Sequence, residues 1–116
     1  MISVNCRPVK VGHFPAGEQN ILDFKHDISD ENTIVWKYES DEELVTLIYI
    51  VHHIRNYYPK ANIDLHMPYI PHARMDRVKS DKEVFTLKYF AEVINSLNFN
   101  VVYTLDAHSD SSLALI

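Results

Sequence analysis

A cluster of arginine and aspartate side chains in the second half of the chain is the first candidate for chemistry. Arg74, Asp76 and Arg77 follow one another closely after a proline-rich stretch. The planar guanidinium group offers a fork of donors that matches phosphate oxygens, so Arg74 and Arg77 together suit a polyphosphate. An exposed loop in which Asp76 pairs with an arginine would show the same spacing. The cluster therefore predicts either a phosphate clamp or a solvated loop.

A second candidate lies near the end of the chain, where Asp106 and His108 follow an apolar run. A carboxylate suits Mg²⁺, which prefers oxygen ligands, whereas an imidazole can bond a phosphate or a metal. Residues two apart at the end of a strand can point to the same side. Asp-x-His also arises by chance, and Ser109 to Ser112 fits a plain helix cap. Of the pair, Asp106 is the better metal ligand.

Two segments with helical periodicity must position these residues. Ser40 to Glu43 forms a capping box and predicts a helix that ends before Pro59. Ser80 to Glu83 forms a second capping box and predicts a helix through Leu97. The apolar stripes of the two helices are Leu44, Leu47, Ile48, Val51, Ile54 and Tyr58 in the first, and Val84, Leu87, Ala91, Ile94 and Leu97 in the second.

Strands alternate with these helices. Ala61 to Met67 alternates apolar and polar residues, which is unusual for a strand between two others. Val101 to Leu105 is a continuous β-prone run of the kind that is buried on both faces in a parallel sheet. Strands joined by long helical links require right-handed crossovers, so the sequence predicts a parallel α/β sheet. Ligands bind such sheets at the carboxyl ends of the strands, where both candidate segments begin. Further β-type stretches near the N-terminus are Ile2 to Asn5, Asn20 to Phe24 and Thr33 to Trp36.

Composition limits the class of protein. The 116 residues, 47% apolar and 23% charged, predict a single globular domain over 1–116. The net charge of -5 argues against a general affinity for nucleic acid or anionic membranes, so an anionic ligand must be held locally. Cys6 alone allows no internal disulfide and predicts a buried thiol in a reducing, cytoplasmic setting. The apolar ending at Ile116 predicts a helix that continues into another domain or is covered by another subunit.

Three stretches resemble one enzyme family. Pro68 to Arg77 reads Pro-Tyr-Ile-Pro-His-Ala-Arg-Met-Asp-Arg, which is similar to Pro-Tyr-Phe-Pro-Tyr-Ala-Arg-Gln-Asp-Arg of ribose-phosphate diphosphokinases. Leu105 to Ser109 resembles the family's Met-Asp-Leu-His-Ala, and Phe14 to Glu18 resembles its Phe-Ser-Asp-Gly-Glu. The first two occur in the family's order, separated by a compatible helix. Together the three span nearly the whole chain but only the first half of the family's length.

This resemblance implies a fold and an activity. The fold would be the N-terminal half of a three-layer, mostly parallel sheet with helices on both faces, of the phosphoribosyltransferase type. The family transfers the diphosphoryl group of Mg-ATP to ribose 5-phosphate, which yields phosphoribosyl pyrophosphate and AMP for nucleotide and NAD biosynthesis. Such a chain would act in a homo-oligomer, with no nucleic acid or membrane as partner.

The resemblance also implies roles for single residues. ATP would be bound by Arg74, Met75, Asp76, Arg77 and His108, with Phe14 and Glu18 in an adenine pocket that is completed across a subunit interface. Asp106 and His108 would hold Mg²⁺. No catalytic residue is assigned within these 116 positions.

Departures from the family pattern leave other functions open. Met75 replaces a glutamine, Ala16 replaces an acid or amide, and no Asp-Thr-x-Gly-Thr loop for ribose phosphate occurs in the sequence. The resemblance therefore implies catalysis only within a longer chain or an assembly. A catalytically silent module that assembles with active subunits is the alternative. A third hypothesis is an unrelated metal phosphatase that uses Asp106. The lack of further carboxylates at strand ends disfavours this hypothesis.

Overall fold

The computed structural model describes residues 1–22, 24, 27–71 and 83–105 of the chain. Within these ranges none of the helices is long and apolar enough to cross a lipid bilayer. The elements are β1 (Ile2–Val4), β2 (Arg7–Pro8), β3 (Val11–His13), β4 (Gln19–Ile21), β5 (Glu31–Trp36), α1 (Glu42–Tyr57), β6 (Asn62–His66), α2 (Thr86–Ser96) and β7 (Val101–Tyr103).

The main sheet has five strands in the order β2-β1-β5-β6-β7. Strands β5, β6 and β7 are parallel, because α1 and α2 carry the chain back between them. Strands β1 and β2 extend the sheet in antiparallel pairing on the β5 side. The predicted α/β fold with parallel strands is therefore confirmed. The predicted burial of β7 on both faces is wrong, because β7 is the last strand in the order and Val101 and Tyr103 are 37% and 48% exposed. The helix predicted to start near Ser109 lies outside the described residues.

The turn between β1 and β2 corrects the interpretation of the single cysteine. Asn5 and Cys6 have φ of 48° and 71°, and Val4 pairs with Arg7 across them. Positive φ at both central residues is the mark of a two-residue hairpin turn whose twist matches its strands. Such a turn projects from the sheet, so Cys6 is exposed and the predicted buried thiol is wrong.

One face of the main sheet carries the core. Ile34, Ile63, Leu65 and Met67 are fully buried, and they share one apolar cluster with the buried faces of α1 and α2. The predicted stripe of α1 is confirmed, with Leu47, Val51 and Ile54 fully buried. Because both described helices pack on this face, the alternate residues of β6 point the other way.

On the opposite face of the sheet the residues of β6 are polar, which explains the alternation of this strand. Asn62 donates to Glu31 Oε1 at 2.9 Å, and Asn100 donates to Asp64 Oδ1 at 3.1 Å. The rings of His66 and Tyr103 stack with centroids 4.5 Å apart. The predicted division of β6 into an apolar and a polar face is therefore confirmed. Its polar side chains are partly or fully exposed, so their polar groups remain in reach of water.

The first predicted capping box forms in part. The backbone N–H groups of Glu39 and Ser40 donate to Glu43 Oε1 at 2.7 and 3.2 Å. The N–H of Glu43 donates to the carbonyl oxygen of Ser40 at 3.2 Å rather than to the predicted hydroxyl. Glu43 also accepts from the indole N–H of Trp36 at 3.3 Å and lies 2.6 Å from the N-terminal ammonium group. One carboxylate thus ties together the helix start, the end of β5 and the start of the chain.

These contacts predict a pH-dependent contribution to stability. Burial by itself would raise the pKa of Glu43, but hydrogen bonds from the N-terminal ammonium group, Glu39, Trp36 and Ser40 outweigh it and lower the pKa below 4.5. A carboxylate with a lowered folded-state pKa stabilises above its unfolded-state pKa, and this stabilisation disappears as the pH falls through the folded-state value. We expect Glu43→Gln to cost about 1 to 2 kcal/mol at pH 7, and this cost to decrease as the pH falls through the folded-state pKa of Glu43.

The measurement is urea unfolding of both proteins at pH 7, 5, 4 and 3. The matched control is Glu92→Gln, which changes an exposed glutamate on α2. A Glu43→Gln cost that stays constant across this range would contradict the assignment.

The second helix begins later than its capping box predicts. Its first residue is Thr86, and the preceding Phe85, with φ of -77° and ψ of 77°, is the central residue of a tight turn in which the N–H of Thr86 donates to the carbonyl oxygen of Val84 at 2.9 Å. Val84 is 64% exposed rather than in the apolar stripe. Phe85 packs against the core in the place that Val84 was predicted to take. Burial of the larger side chain therefore overrides the local capping signal at Glu83, which lies in a bend outside the helix. The rest of the stripe, from Leu87 onward, is buried as predicted.

Candidate functional site

Two candidate segments leave the sheet from adjacent parallel strands. The first follows β6 and leads to Arg74 and Arg77, and the second follows β7 and leads to Asp106 and His108. His66 pairs with Tyr103 at the ends of β6 and β7, and the N–H of Met67 donates to the carbonyl oxygen of Tyr103 at 2.8 Å. The chain then continues into the first segment at Pro68 and into the second at Thr104. Both segments therefore start at one edge of the sheet, one strand spacing of about 5 Å apart. The predicted ligands on them, Arg74, Met75, Asp76, Arg77, Asp106 and His108, lie outside the described residues.

The start of the first segment is held firmly by the core. Ile70 is 1% exposed, and Pro71 is also buried. Between the two prolines, Tyr69 points outward with 37% of its surface exposed. Because Pro68 and Pro71 each restrict the backbone and Ile70 is embedded, the segment leaves the sheet in a defined direction. Arg74 follows Pro71 by three positions in the sequence.

The family-like stretch from Phe14 to Glu18 forms the tip of a separate hairpin. Strands β3 and β4 make a two-stranded sheet of their own. The N–H of Phe14 donates to the carbonyl oxygen of Glu18 at 2.8 Å, and the N–H of Gly17 donates to that of Phe14 at 2.8 Å. Gly17 adopts φ of 96°, which only glycine takes without strain. The Phe14 ring is 49% exposed and Glu18 is exposed, so the tip offers a ring and a carboxylate to a ligand.

This hairpin lies against the first turns of α1. The side-chain amide of Gln19 donates to the carbonyl oxygen of Glu42 at 2.9 Å, and His13 contacts the Glu42 carboxylate. The hydroxyl of Thr46 donates to the amide oxygen of Gln19. Since α1 starts just beyond the carboxyl end of β5, these contacts place the hairpin tip at the same edge of the sheet as the two candidate segments.

The segment after β5 gives this edge a negative charge. Glu39, Asp41, Glu42 and Glu43 all follow within the loop and the first turn of α1. The N-terminal ammonium group, 2.6 Å from Glu43 and 3.4 Å from Glu39, offsets only part of this charge. The remaining negative charge disfavours a triphosphate, so further cations must offset it if a nucleotide binds here. Arginines and a divalent metal are what the two candidate segments are predicted to supply.

Tyr38 adds a neutral donor at the same edge. Its hydroxyl donates to Asp41 Oδ1 at 2.6 Å. This hydrogen bond, together with burial and the nearby negative charges of Asp41 and Glu43, raises the pKa of Tyr38 to about 12. The hydroxyl therefore stays protonated at physiological pH and keeps its bond to Asp41.

Sequence reasoning missed Gln19, Thr46 and Tyr38. A usable signal existed for Thr46, because a threonine falls on the buried side of a helix beside Leu47, and a polar group in that position needs a partner. Thr46 is 3% exposed, and its partner is Gln19, 27 positions earlier in the chain. Gln19 and Tyr38 show no spacing or motif in the sequence that would single them out.

Comparison with known proteins gives a similarity in structure. No known family model matches the sequence, and no curated protein sequence matches it either. Among solved structures, the crystal structure of phosphoribosylpyrophosphate synthetase from Mycobacterium smegmatis superposes with a TM-score of 0.71 at 15% sequence identity. The alignment covers 94% of this chain and 37% of that one. At this identity the similarity shows a shared α/β fold, and this chain spans little more than a third of the neighbour's length.

Proposed function

We propose that this chain is the N-terminal, ATP-binding part of a ribose-phosphate diphosphokinase. The observation that carries the proposal is the hydrogen bond between Met67 and Tyr103, which starts both family-like segments at adjacent strand ends. The hairpin tip with Phe14 and Glu18 lies at the same edge. The named neighbour, a phosphoribosylpyrophosphate synthetase, supports the proposal through its fold.

The proposed roles follow from the chemistry of each side chain. Arg74 and Arg77 grip phosphate oxygens, His108 reaches the phosphates or the metal, and Asp106 holds Mg²⁺ through its carboxylate. Bound Mg²⁺ would neutralise charge on the phosphate oxygens, and a carboxylate is a suitable ligand for it. Phe14 and Glu18 contact the adenine end.

The reaction needs little covalent participation by the protein. The anomeric hydroxyl of ribose 5-phosphate attacks the β-phosphorus of ATP, its proton is lost, and AMP leaves as the bond to the α-phosphate oxygen breaks. In-line positioning and charge neutralisation supply most of the catalysis in such transfers. Met75 and Asp76, between the arginines, complete the proposed nucleotide contacts.

Ribose 5-phosphate requires residues beyond those in this sequence. No Asp-Thr-x-Gly-Thr segment occurs among the 116 residues. In the proposal, the pentose phosphate is bound by a further part of the enzyme, and the chain works in a cytoplasmic homo-oligomer. The isolated chain is then expected to bind Mg-ATP without making phosphoribosyl pyrophosphate.

Calorimetric titration tests the proposal directly. We expect Mg-ATP to bind with a Kd between about 1 μM and 1 mM, the usual range of KM values for enzymes. Without Mg²⁺, binding should weaken by about tenfold or more, and Asp106→Asn should remove most of that difference. Asp30→Asn, an exposed aspartate just before β5 at the other edge of the sheet, is the matched control. Equal binding with and without Mg²⁺ would contradict the metal assignment.

A silent assembly module is the second candidate function. It is favoured by the departures at Met75 and Ala16, which fall in the stretches proposed to contact the nucleotide. A folded wild-type chain that shows no heat of binding with Mg-ATP up to 5 mM would be the result expected of such a module. Tight association with an active diphosphokinase subunit would then be its positive test.

A further inference from the structure

The hairpin that carries Phe14 and Glu18 is joined to the rest of the protein mainly through side chains. Strands β3 and β4 pair with each other, and neither pairs with the main sheet. An isolated two-stranded hairpin is marginally stable in water, so its position depends on what it packs against. The hydrogen bonds from Gln19 to α1 are therefore candidates for controlling where the tip lies.

The side-chain amide of Gln19 forms hydrogen bonds to two residues of α1 that lie one helical turn apart. The amide nitrogen donates to the carbonyl oxygen of Glu42 at 2.9 Å, and the amide oxygen accepts from the hydroxyl of Thr46. Thr46 is 3% exposed, so its hydroxyl is shielded from water that could replace Gln19. Gln19 pairs with His13 across the hairpin, directly beneath the tip. A side chain at this position can fix the tip relative to α1.

Apolar packing behind this contact is incomplete. A cavity of about 230 Å³ lies between β4 and α1, lined on the hairpin side by Asn20 and Ile21 and on the helix side by Tyr49 and His53. This space is open to solvent, so the hairpin and the helix are not in close apolar contact along this stretch. The hydrogen bonds of Gln19 therefore act beside two other contacts of the hairpin, the packing of Ile21 against the core and the contact of His13 with Glu42.

We infer that Gln19 and Thr46 form a positioning clamp that sets the hairpin tip, and through it the affinity for the adenine end of the nucleotide. This inference rests on the proposed function for its nucleotide part. The clamp acts on Phe14 and Glu18 and leaves the phosphate-binding segments unchanged. Neither residue touches the reacting atoms.

Hydrogen exchange tests the mechanical part without any nucleotide. We expect Thr46→Val and Gln19→Leu to speed exchange of the Phe14 and Gly17 amides by about tenfold, with amides of β6 unchanged. Thr46→Ser keeps the hydroxyl and should restore the wild-type rate. Thr33→Val makes the same chemical change on the polar face of the sheet and is the matched control. Wild-type exchange at the tip in both clamp variants would overturn the inference.

Nucleotide titration tests the functional part. We expect Thr46→Val to raise the Kd for Mg-ATP about fivefold to tenfold and to leave that for Mg-tripolyphosphate within twofold of wild type, because only ATP has an adenine end. An equal loss of affinity for both ligands, or an unchanged affinity for both, would overturn the link between the clamp and the adenine end. If the wild-type chain binds neither ligand, the proposed function fails and this functional part fails with it, whereas exchange at the tip still decides whether the clamp exists.

Discussion

Replacement of Arg74 by alanine should weaken Mg-ATP binding by about 30-fold to 100-fold. In the proposed site this side chain donates charge-assisted hydrogen bonds to phosphate oxygens, and loss of such bonds costs about 2 to 3 kcal/mol. The described part of the same edge is acidic, with Glu39, Asp41 and Glu42 exposed. In the proposed site, removal of the Arg74 charge would therefore leave the triphosphate closer to these carboxylates. Calorimetry at fixed Mg²⁺ and low salt measures the change.

Two variants distinguish the bidentate hydrogen bonding of the Arg74 guanidinium group from the effect of its positive charge. Arg74→Lys keeps the charge and should recover only part of the affinity, because an ammonium group cannot bond two phosphate oxygens in the same way. Arg7→Ala removes an exposed arginine from β2 at the opposite end of the strand order. A loss at Arg7 as large as that at Arg74 would show that net charge alone controls binding. Unchanged affinity in Arg74→Ala would show that the site is misassigned.

Local sequence patterns predicted the elements that the core depends on. The stripe that includes Leu47 and Ile54 predicted α1, and the alternation through Ile63 and Leu65 predicted β6. Such patterns succeed because burial repeats with the period of the helix or the strand, so each residue reports its own environment. They placed the starts of both candidate segments at strand ends, where the structure has them.

Errors arose where the core or a tight turn overrides the signal of a single residue or a short motif. The capping signal at Ser80 to Glu83 predicted an early start for α2, but burial of Phe85 places the helix start at Thr86. Cys6 was predicted to be buried from residue type alone, and the geometry of a tight turn exposes it. A preference of one residue type is a weak guide when the turn or the core makes a stronger demand.

The candidate site shows the same difference between residues that a local motif identifies and residues that only the fold brings together. Pro68 and its neighbours are contiguous and form a motif, so the sequence predicts that they contribute to one site. The clamp between Gln19 and Thr46 joins residues 27 positions apart with neither period nor motif. Only three-dimensional structure brings them together. Sequence therefore predicts the proposed ligand contacts better than the contacts that position them.

The division of β6 into a buried and a polar face leads to the second large prediction. Leu65 is fully buried within β6, whereas the next residue, His66, lies on the opposite face and stacks on Tyr103. We expect Leu65→Ala to lower the free energy of unfolding by about 2 to 5 kcal/mol, from lost burial and the cavity that remains. That is a large fraction of the roughly 5 to 15 kcal/mol that stabilises a domain of ordinary size.

His66→Ala should cost about 1 kcal/mol or less, the value of one partly exposed ring contact. Both free energies come from urea unfolding at pH 7, followed by far-ultraviolet circular dichroism and by the fluorescence of Trp36, which is fully buried beside Tyr38 and Phe90. Adjacent residues of one strand then differ severalfold in their effect because their side chains point to opposite faces. Similar costs at the two positions would mean that the polar face is covered in solution, and that Asp64 and Tyr103 contact a further layer.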